Sequence, residues 1–143
     1  MAQIPDKTTI AETFQNAIPY AREVGMTIEL LEDGLAEMRM PYDARLVGDP
    51  ETGVMHGGAV LALMDSCCGL AVIAHPDVPG LTATLGLRTD HLRKAVPGQA
   101  IVVRAECYLV TRSVAFVRAT AWDDDRTRPV ALSTGTFTVG GQA

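Results

Sequence analysis

The chain has 143 residues, 48% of them hydrophobic, enough for one domain spanning residues 1–143 whose core needs neither disulfides nor metal. A formal net charge of -5, with 20% charged residues, excludes a protein whose work is coating nucleic acid, so an anionic ligand has to be met by local basic residues. Cys67, Cys68 and Cys107 are odd in number, and residues 1–20 carry no secretory leader pattern, so reduced thiols in a cytoplasmic protein are expected.

In chain order, residues 8–18 place Ile10, Phe14, Ala17 and Ile18 at helical spacing, and Pro19 is expected to end that short amphipathic helix. Residues 26–31 and 35–42 alternate with period two about Glu32-Asp33-Gly34, a tight-hairpin signal. This puts Ala36, Met38 and Met40 on one face, with Glu37 and Arg39 on the other. Residues 45–55, rich in Gly, Pro and Asp, read as a loop of functional length. The apolar run 57–74 approaches the length of a membrane span, but a carboxylate at its middle, Asp65, would cost roughly 2.5–3.5 kcal/mol there. It reads instead as a helix buried in protein.

After a turn at 75–80, four strands follow. Leu81, Ala83, Leu85 and Leu87 alternate first; Ile101, Val103, Ala105, Cys107 and Leu109 alternate next, beyond a turn at 95–98. Thr111-Arg112-Ser113 leads into residues 114–122, Asp123-Asp124-Asp125 reads as a solvated turn, and the last strand takes residues 129–139. The order predicts an α+β fold in which an antiparallel sheet of about six strands curls round a long central helix and covers it on nearly every side. No repeat, dinucleotide glycine fingerprint or phosphate loop is present.

A carboxylate in so apolar a run is costly to bury unless it is paired or functional, which makes Asp65 the first candidate for chemistry. At the helix start Gly57 and Gly58 could bring backbone N–H donors and the helix dipole to a developing oxyanion, or could simply allow tight packing. His56 at the helix entrance suits capping or shaping the loop better than proton transfer. His75 and His91 lack ligand-spaced partners, so neither a metal nor a cofactor is expected.

The string Gly48-Asp49-Pro50-Glu51-Thr52-Gly53-Val54-Met55-His56-Gly57-Gly58, followed by Asp65 nine positions after His56, resembles the phenylacetate-pathway (PaaI-like) branch of the hotdog-fold acyl-CoA thioesterases. The likeness extends through Leu92-Arg93-Lys94-Ala95-Val96-Pro97-Gly98 and Thr111-Arg112-Ser113. It implies a hotdog fold, hydrolysis of a CoA thioester with an aromatic or short- to medium-chain acyl group, and catalysis by Asp65 as general base or nucleophile. Many family members carry Asn ahead of the motif to hold the attacking water; the matching position here is Asp49, an acceptor-only group. Thr82 matches a family hydroxyl near the same water. Val54, Met55, Leu61 and Met64 flank the motif as candidates for acyl contact, while Arg93, Lys94 and Arg112 are candidates for the coenzyme phosphates.

Gly58 and Asp65 are seven residues apart, roughly 10 Å along a helix axis, so one carbonyl cannot meet both. Donors from one subunit meeting Asp65 of another would solve this, which predicts an obligate homodimer and, by further assembly, a homotetramer. Two alternatives share the fold. An enoyl-CoA hydratase would need Asp and His five apart, whereas Asp49 and His56 are seven apart; an acyl-CoA sensor would need a DNA-binding helix pair that the segment before Met26 cannot hold. Neither nucleic acid nor a membrane is an expected partner.

Overall fold

A computed structural model describes residues 6–140 of the chain. Helix α1, Lys7–Ala17, starts at Asp6, whose carboxylate accepts the Thr9 N–H at 2.9 Å, and it buries Ile10 and Phe14. α1 ends ahead of Pro19 as expected, with Ile18 extended, and nothing in the sequence signals what Pro19 then begins. It takes the first position of a second short helix, α2 (Pro19–Glu23), where its missing N–H costs nothing.

Strands β1 (Thr27–Glu32) and β2 (Leu35–Met40) form the expected hairpin, turning at Gly34 with φ +68°. Ala36, Met38 and Met40 are fully buried, as their alternation predicts. Within the expected loop 45–55 the chain makes a 3-10 turn and a miniature hairpin of β3 (Val47–Asp49) and β4 (Val54–Met55). Strands of three and two residues are too short to show a period, which is why the sequence reads there as loop.

The central helix α3 runs Gly57–Ile73. Strands β5 (Thr84–His91), β6 (Ile101–Val110), β7 (Val114–Trp122) and β8 (Ala131–Thr138) complete an antiparallel six-stranded sheet in the order β1-β2-β6-β7-β8-β5. The α+β reading and the four terminal strands are therefore borne out, with two local differences. The alternation from Leu81 does not mark the start of β5: pairing with β8 begins only at Thr84, and Leu81 is 70% exposed. Leu109 continues the alternation of β6 in sequence, yet it is exposed, because a register shift between Cys107 and Leu109 turns the strand.

The inner face of the sheet packs on one side of α3, burying Val60, Leu63, Met64, Cys67, Leu70 and Ala71. Each large apolar side chain so buried contributes about 1.5–3 kcal/mol. The opposite side, carrying Leu61, Ala62, Asp65, Ser66, Gly69 and Ile73, is only partly covered. The sheet thus covers half of the helix rather than nearly all of it. No helix among the described residues is long and apolar enough to cross a membrane.

Asp123, read from sequence as part of a solvated turn, is instead buried. Its two oxygens accept from both terminal nitrogens of Arg93 at 2.7 Å and also from the backbone N–H groups of Val96 and Asp125. Arg93 foremost, with these N–H donors, holds the Asp123 carboxyl far below the usual carboxylate range. The pair ties the β5–β6 connection to the β7–β8 turn. Because the folded-state value is depressed, this stabilisation is complete above the ordinary Asp range and is lost as pH falls through the folded value. Replacing Asp123 with Ala leaves a half-buried guanidinium and the N–H groups of Val96 and Asp125 without their acceptor and should destabilise the fold by roughly 1–3 kcal/mol at neutral pH. Urea unfolding of wild type and Asp123→Ala at neutral and strongly acidic pH checks this, the gap between them narrowing in acid.

Candidate active site

The chain enters α3 through His56, whose backbone is extended (φ -61°, ψ 134°) and whose N–H donates to the Leu46 carbonyl at 2.7 Å. The His56 side chain turns back over the first turn, and its Nδ1 accepts the Gly58 N–H at 2.8 Å. His56 is thus the N-cap, satisfying one of the orphan donors that every helix start exposes, and when the ring is neutral the proton sits on Nε2. The bond also divides the roles of the two glycines. Gly58 has given its N–H to His56, whereas the Gly57 N–H takes no partner among the described residues and remains available at the positive end of the helix.

His91, unremarkable in sequence, stands beside Gly57. A β-carbon on Gly57 would lie 3.3 Å from His91 Cε1, so glycine there keeps the backbone open between the ring and a ligand. The signal was unreadable because His91 lies 34 positions along the chain and reaches Gly57 only through the run of β5 alongside α3.

Two turns further on, Asp65 is half-buried on the open side of α3. Its Oδ1 accepts the hydroxyl of Thr84 at 2.8 Å. The hydroxyl that reaches the acid is therefore Thr84, not Thr82, whose Oγ1 donates to the Thr138 carbonyl at 2.6 Å. Both threonines line a cavity of about 740 Å³ into which Asp65 faces. Its floor is Ala62, Ser66, Gly69 and Ile73 of α3; its other walls are α1, through Ile10 and Phe14, and residues 78–84. The α1 wall went unrecognised in sequence because its residues stand more than thirty positions before the motif.

Other sequence candidates take different places. Asp49 spends its carboxylate on its own turn, accepting the Glu51 N–H at 3.1 Å and the Thr52 hydroxyl at 2.7 Å, and the latter chiefly holds its carboxyl below the usual range. Met55 and Met64 belong to the core, and Met64 Sδ accepts the Ser133 hydroxyl. Val54 pairs with Asp49 in the small hairpin, while Leu61 lies exposed on the open side of α3, outside the cavity lining.

Arg93 is not free for a phosphate. Its guanidinium donates to Asp123, to the Lys94 carbonyl and to the Arg128 carbonyl, which occupies every N–H it has. Lys94 is exposed, close enough to Asp49 to lower its pKa. Arg112 lies in the β6–β7 turn, at the opposite end of β8, about 20–25 Å away at the rise of a strand. The three cations therefore do not form one cluster in a protomer.

The three cysteines are free and buried, and burial pushes their thiols up, Cys68 to about 12, which leaves them inert as nucleophiles. Among the described residues no group of three or more His, Cys, Asp or Glu is arranged to hold a metal ion. What remains for chemistry is an acid facing an apolar cavity and an unpaired N–H at the start of the same helix, about 12 Å along its axis.

The sequence pattern of the thioesterase superfamily matches residues 52–130. A solved protein structure from Pseudomonas aeruginosa is similar at 37% identity and TM-score 0.80, covering 91% of this chain and 96% of that one. The phenylacetic acid degradation protein PaaI of Thermus thermophilus is similar at 28% identity and TM-score 0.75, covering 85% of this chain and 99% of that one. The medium/long-chain acyl-CoA thioesterase YigI of Escherichia coli is 23% identical over 144 residues, 92% of each chain.

If His56 caps α3, His56→Ala should cost about 0.5–2 kcal/mol in urea unfolding, and His56→Asn, which supplies a capping oxygen, should recover most of the loss. Equal losses in both variants would separate His56 from the cap.

Proposed function

The chain belongs to the thioesterase superfamily and hydrolyses thioesters, and on that premise we propose that its substrate is an acyl-coenzyme A cleaved to the free acid and coenzyme A at a site shared between two protomers. The observation that carries this reading is the pairing of unlike halves on one helix: an acid held by Thr84 and facing an apolar cavity, and an unpaired N–H about 12 Å away. A thioester carbonyl must sit within about 3–3.5 Å of whatever attacks it and within hydrogen-bond reach of its oxyanion donor, so the two halves of one protomer cannot serve one substrate. Two antiparallel α3 helices related by a two-fold axis bring Gly57 of each protomer to Asp65 of its partner, giving two equivalent sites.

The open edge of the sheet supports such a dimer. β5 is an edge strand with Leu85 58% exposed, and pairing with its own copy would satisfy its free backbone groups. Its two ends already meet both halves of the site, Thr84 at Asp65 and His91 at Gly57. Further pairing of dimers into a tetramer is part of the proposal.

In this site the Gly57 N–H and the helix dipole polarise the carbonyl oxygen. Asp65 takes a proton from water as the water oxygen adds to the carbonyl carbon. Collapse of the tetrahedral intermediate re-forms the carbonyl and breaks the C–S bond, and the departing thiolate regains a proton. Asp65 acting instead as nucleophile would form an acyl anhydride that water opens, with the same net balance. Thr84 fixes the carboxylate in either case. Asp49, engaged in its own turn, is assigned to shaping the loop rather than to holding water. Lys94, exposed near the loop that leads into α3, is the cation assigned to the coenzyme phosphates, while Arg112, at the far end of the sheet, is left out of that role.

Thiol release from a panel of acyl-CoA thioesters is expected from wild type, and Asp65→Asn should lower kcat by about 10²–10⁴ with the fold intact. An undiminished Asp65→Asn enzyme would remove the catalytic assignment; binding without release would point to a sensor. Gly57→Pro deletes the donor at a helix position where proline is tolerated, and it too should be inactive. Mixed with Asp65→Asn under exchange, it should regain about a quarter of wild-type activity, since half of the dimers are then hybrids with one intact site. A mixture that stays inactive while hybrids form would refute the shared site.

A further inference from the structure

The cavity in front of Asp65 is deeper than the reacting group requires. Asp65 and Ile73 both line it, eight residues apart on α3, so it extends about 12 Å along the helix axis. Among the described residues Asp65 is the one charged group in the lining, and the walls beyond it are formed by Ile10, Phe14, Val78 and Phe137.

Gly69, one turn beyond Asp65, is the residue that needs explaining. A glycine inside a helix is unfavourable relative to alanine. Its torsions are not the reason, since it is not among the glycines with positive φ. Nor is packing: a β-carbon there would meet a single atom, Phe137 Cε1, at an ordinary 3.6 Å. The effect of a longer side chain would be to fill the cavity that Gly69 lines.

We propose that this cavity takes a straight-chain saturated acyl group lying along α3, and that Gly69 sets how long that chain can be. The inference rests on the thioesterase reading of the site and names its substrate class. An extended chain advances roughly 1.2 Å per bond, the polypeptide's own rise divided over its three backbone bonds, so 12 Å accommodates about eight to ten carbons. That is a medium-chain acyl group. The apolar lining rewards each added methylene by about fourfold in kcat/KM until the chain reaches the end of the cavity.

The test is kcat/KM for straight-chain acyl-CoA thioesters from butanoyl to hexadecanoyl, with phenylacetyl-CoA alongside, in wild type, Gly69→Ala, Gly69→Leu and Ile73→Ala. Wild type should rise with chain length to an optimum near eight to ten carbons. Gly69→Leu should move that optimum shorter and lower the decanoyl to butanoyl ratio at least about tenfold, the worth of two displaced methylenes. Gly69→Ala should shift it less, and Ile73→Ala should shift it longer. Should Gly69→Leu fail to fold, Gly69→Ala, which favours the helix, and the wild-type profile still decide. Release that is insensitive to chain length, a preference for phenylacetyl-CoA, or a Gly69 variant that lowers every substrate by one common factor would each overturn the proposal while leaving the hydrolase reading intact. No release from any thioester would overturn both.

Discussion

One sheet can cover only one side of a helix, and α3 is apolar on more sides than one. Its inner side is sealed against β2, β6 and β7, where Leu63, Met64, Cys67 and Leu70 are fully buried. The other side, with Leu61, Ala62 and Ile73 beside Asp65, is left for something else to cover. Part of that cover is α1, which leans over the cavity without filling it. The remaining cover, we propose, comes from a second copy and from substrate. The position of the acid, the direction of the cavity and the open edge at β5 all follow from this division of the helix surface.

The helix start adds a second constraint. Four N–H groups at any helix N-terminus lack intrahelical partners, and a cap normally hides some of them. Here His56 hides the Gly58 N–H and leaves that of Gly57. Serine, aspartate or asparagine would be the usual caps; an imidazole does the same work while carrying bulk that walls off the helix entrance. His91 flanks Gly57, and both stand exposed at the helix entrance, where the free donor can be reached.

Much of the fold was legible because its signals are periodic. The helix at 57–73, the β1–β2 hairpin at Gly34 and the alternation of β6 each declare themselves within ten to twenty residues. At the site, Asp65 and the glycines were legible for a different reason: a carboxylate and flexible backbone are anomalous in an apolar run. What failed were the pairings across long sequence separations. Thr82 and Thr84 are equivalent to a sequence reader, and only the register of β5 against β8 puts Thr84 at the acid. Arg93 looked like a free cation because Asp123, which consumes it, lies thirty residues away in a run that resembles a solvated turn. Such pairs form through tertiary contact and leave no local trace.

The composition of α3 also explains why its open side is free for the chemistry proposed for it. Gly57, Gly58 and Gly69, with β-branched Val60, Val72 and Ile73, make it a poor helix by intrinsic propensity. A 17-residue segment of this kind would be marginal alone, so its helicity depends on the packing of its inner side. Once that packing fixes the helix, the residues facing away need not contribute to it. Asp65, Ser66 and Gly69 can then be selected for what they meet rather than for what they stabilise. Stability resides on one side of α3 and the proposed chemistry on the other, and the two meet at its first turn, where His56 caps the helix and thereby decides which N–H remains free.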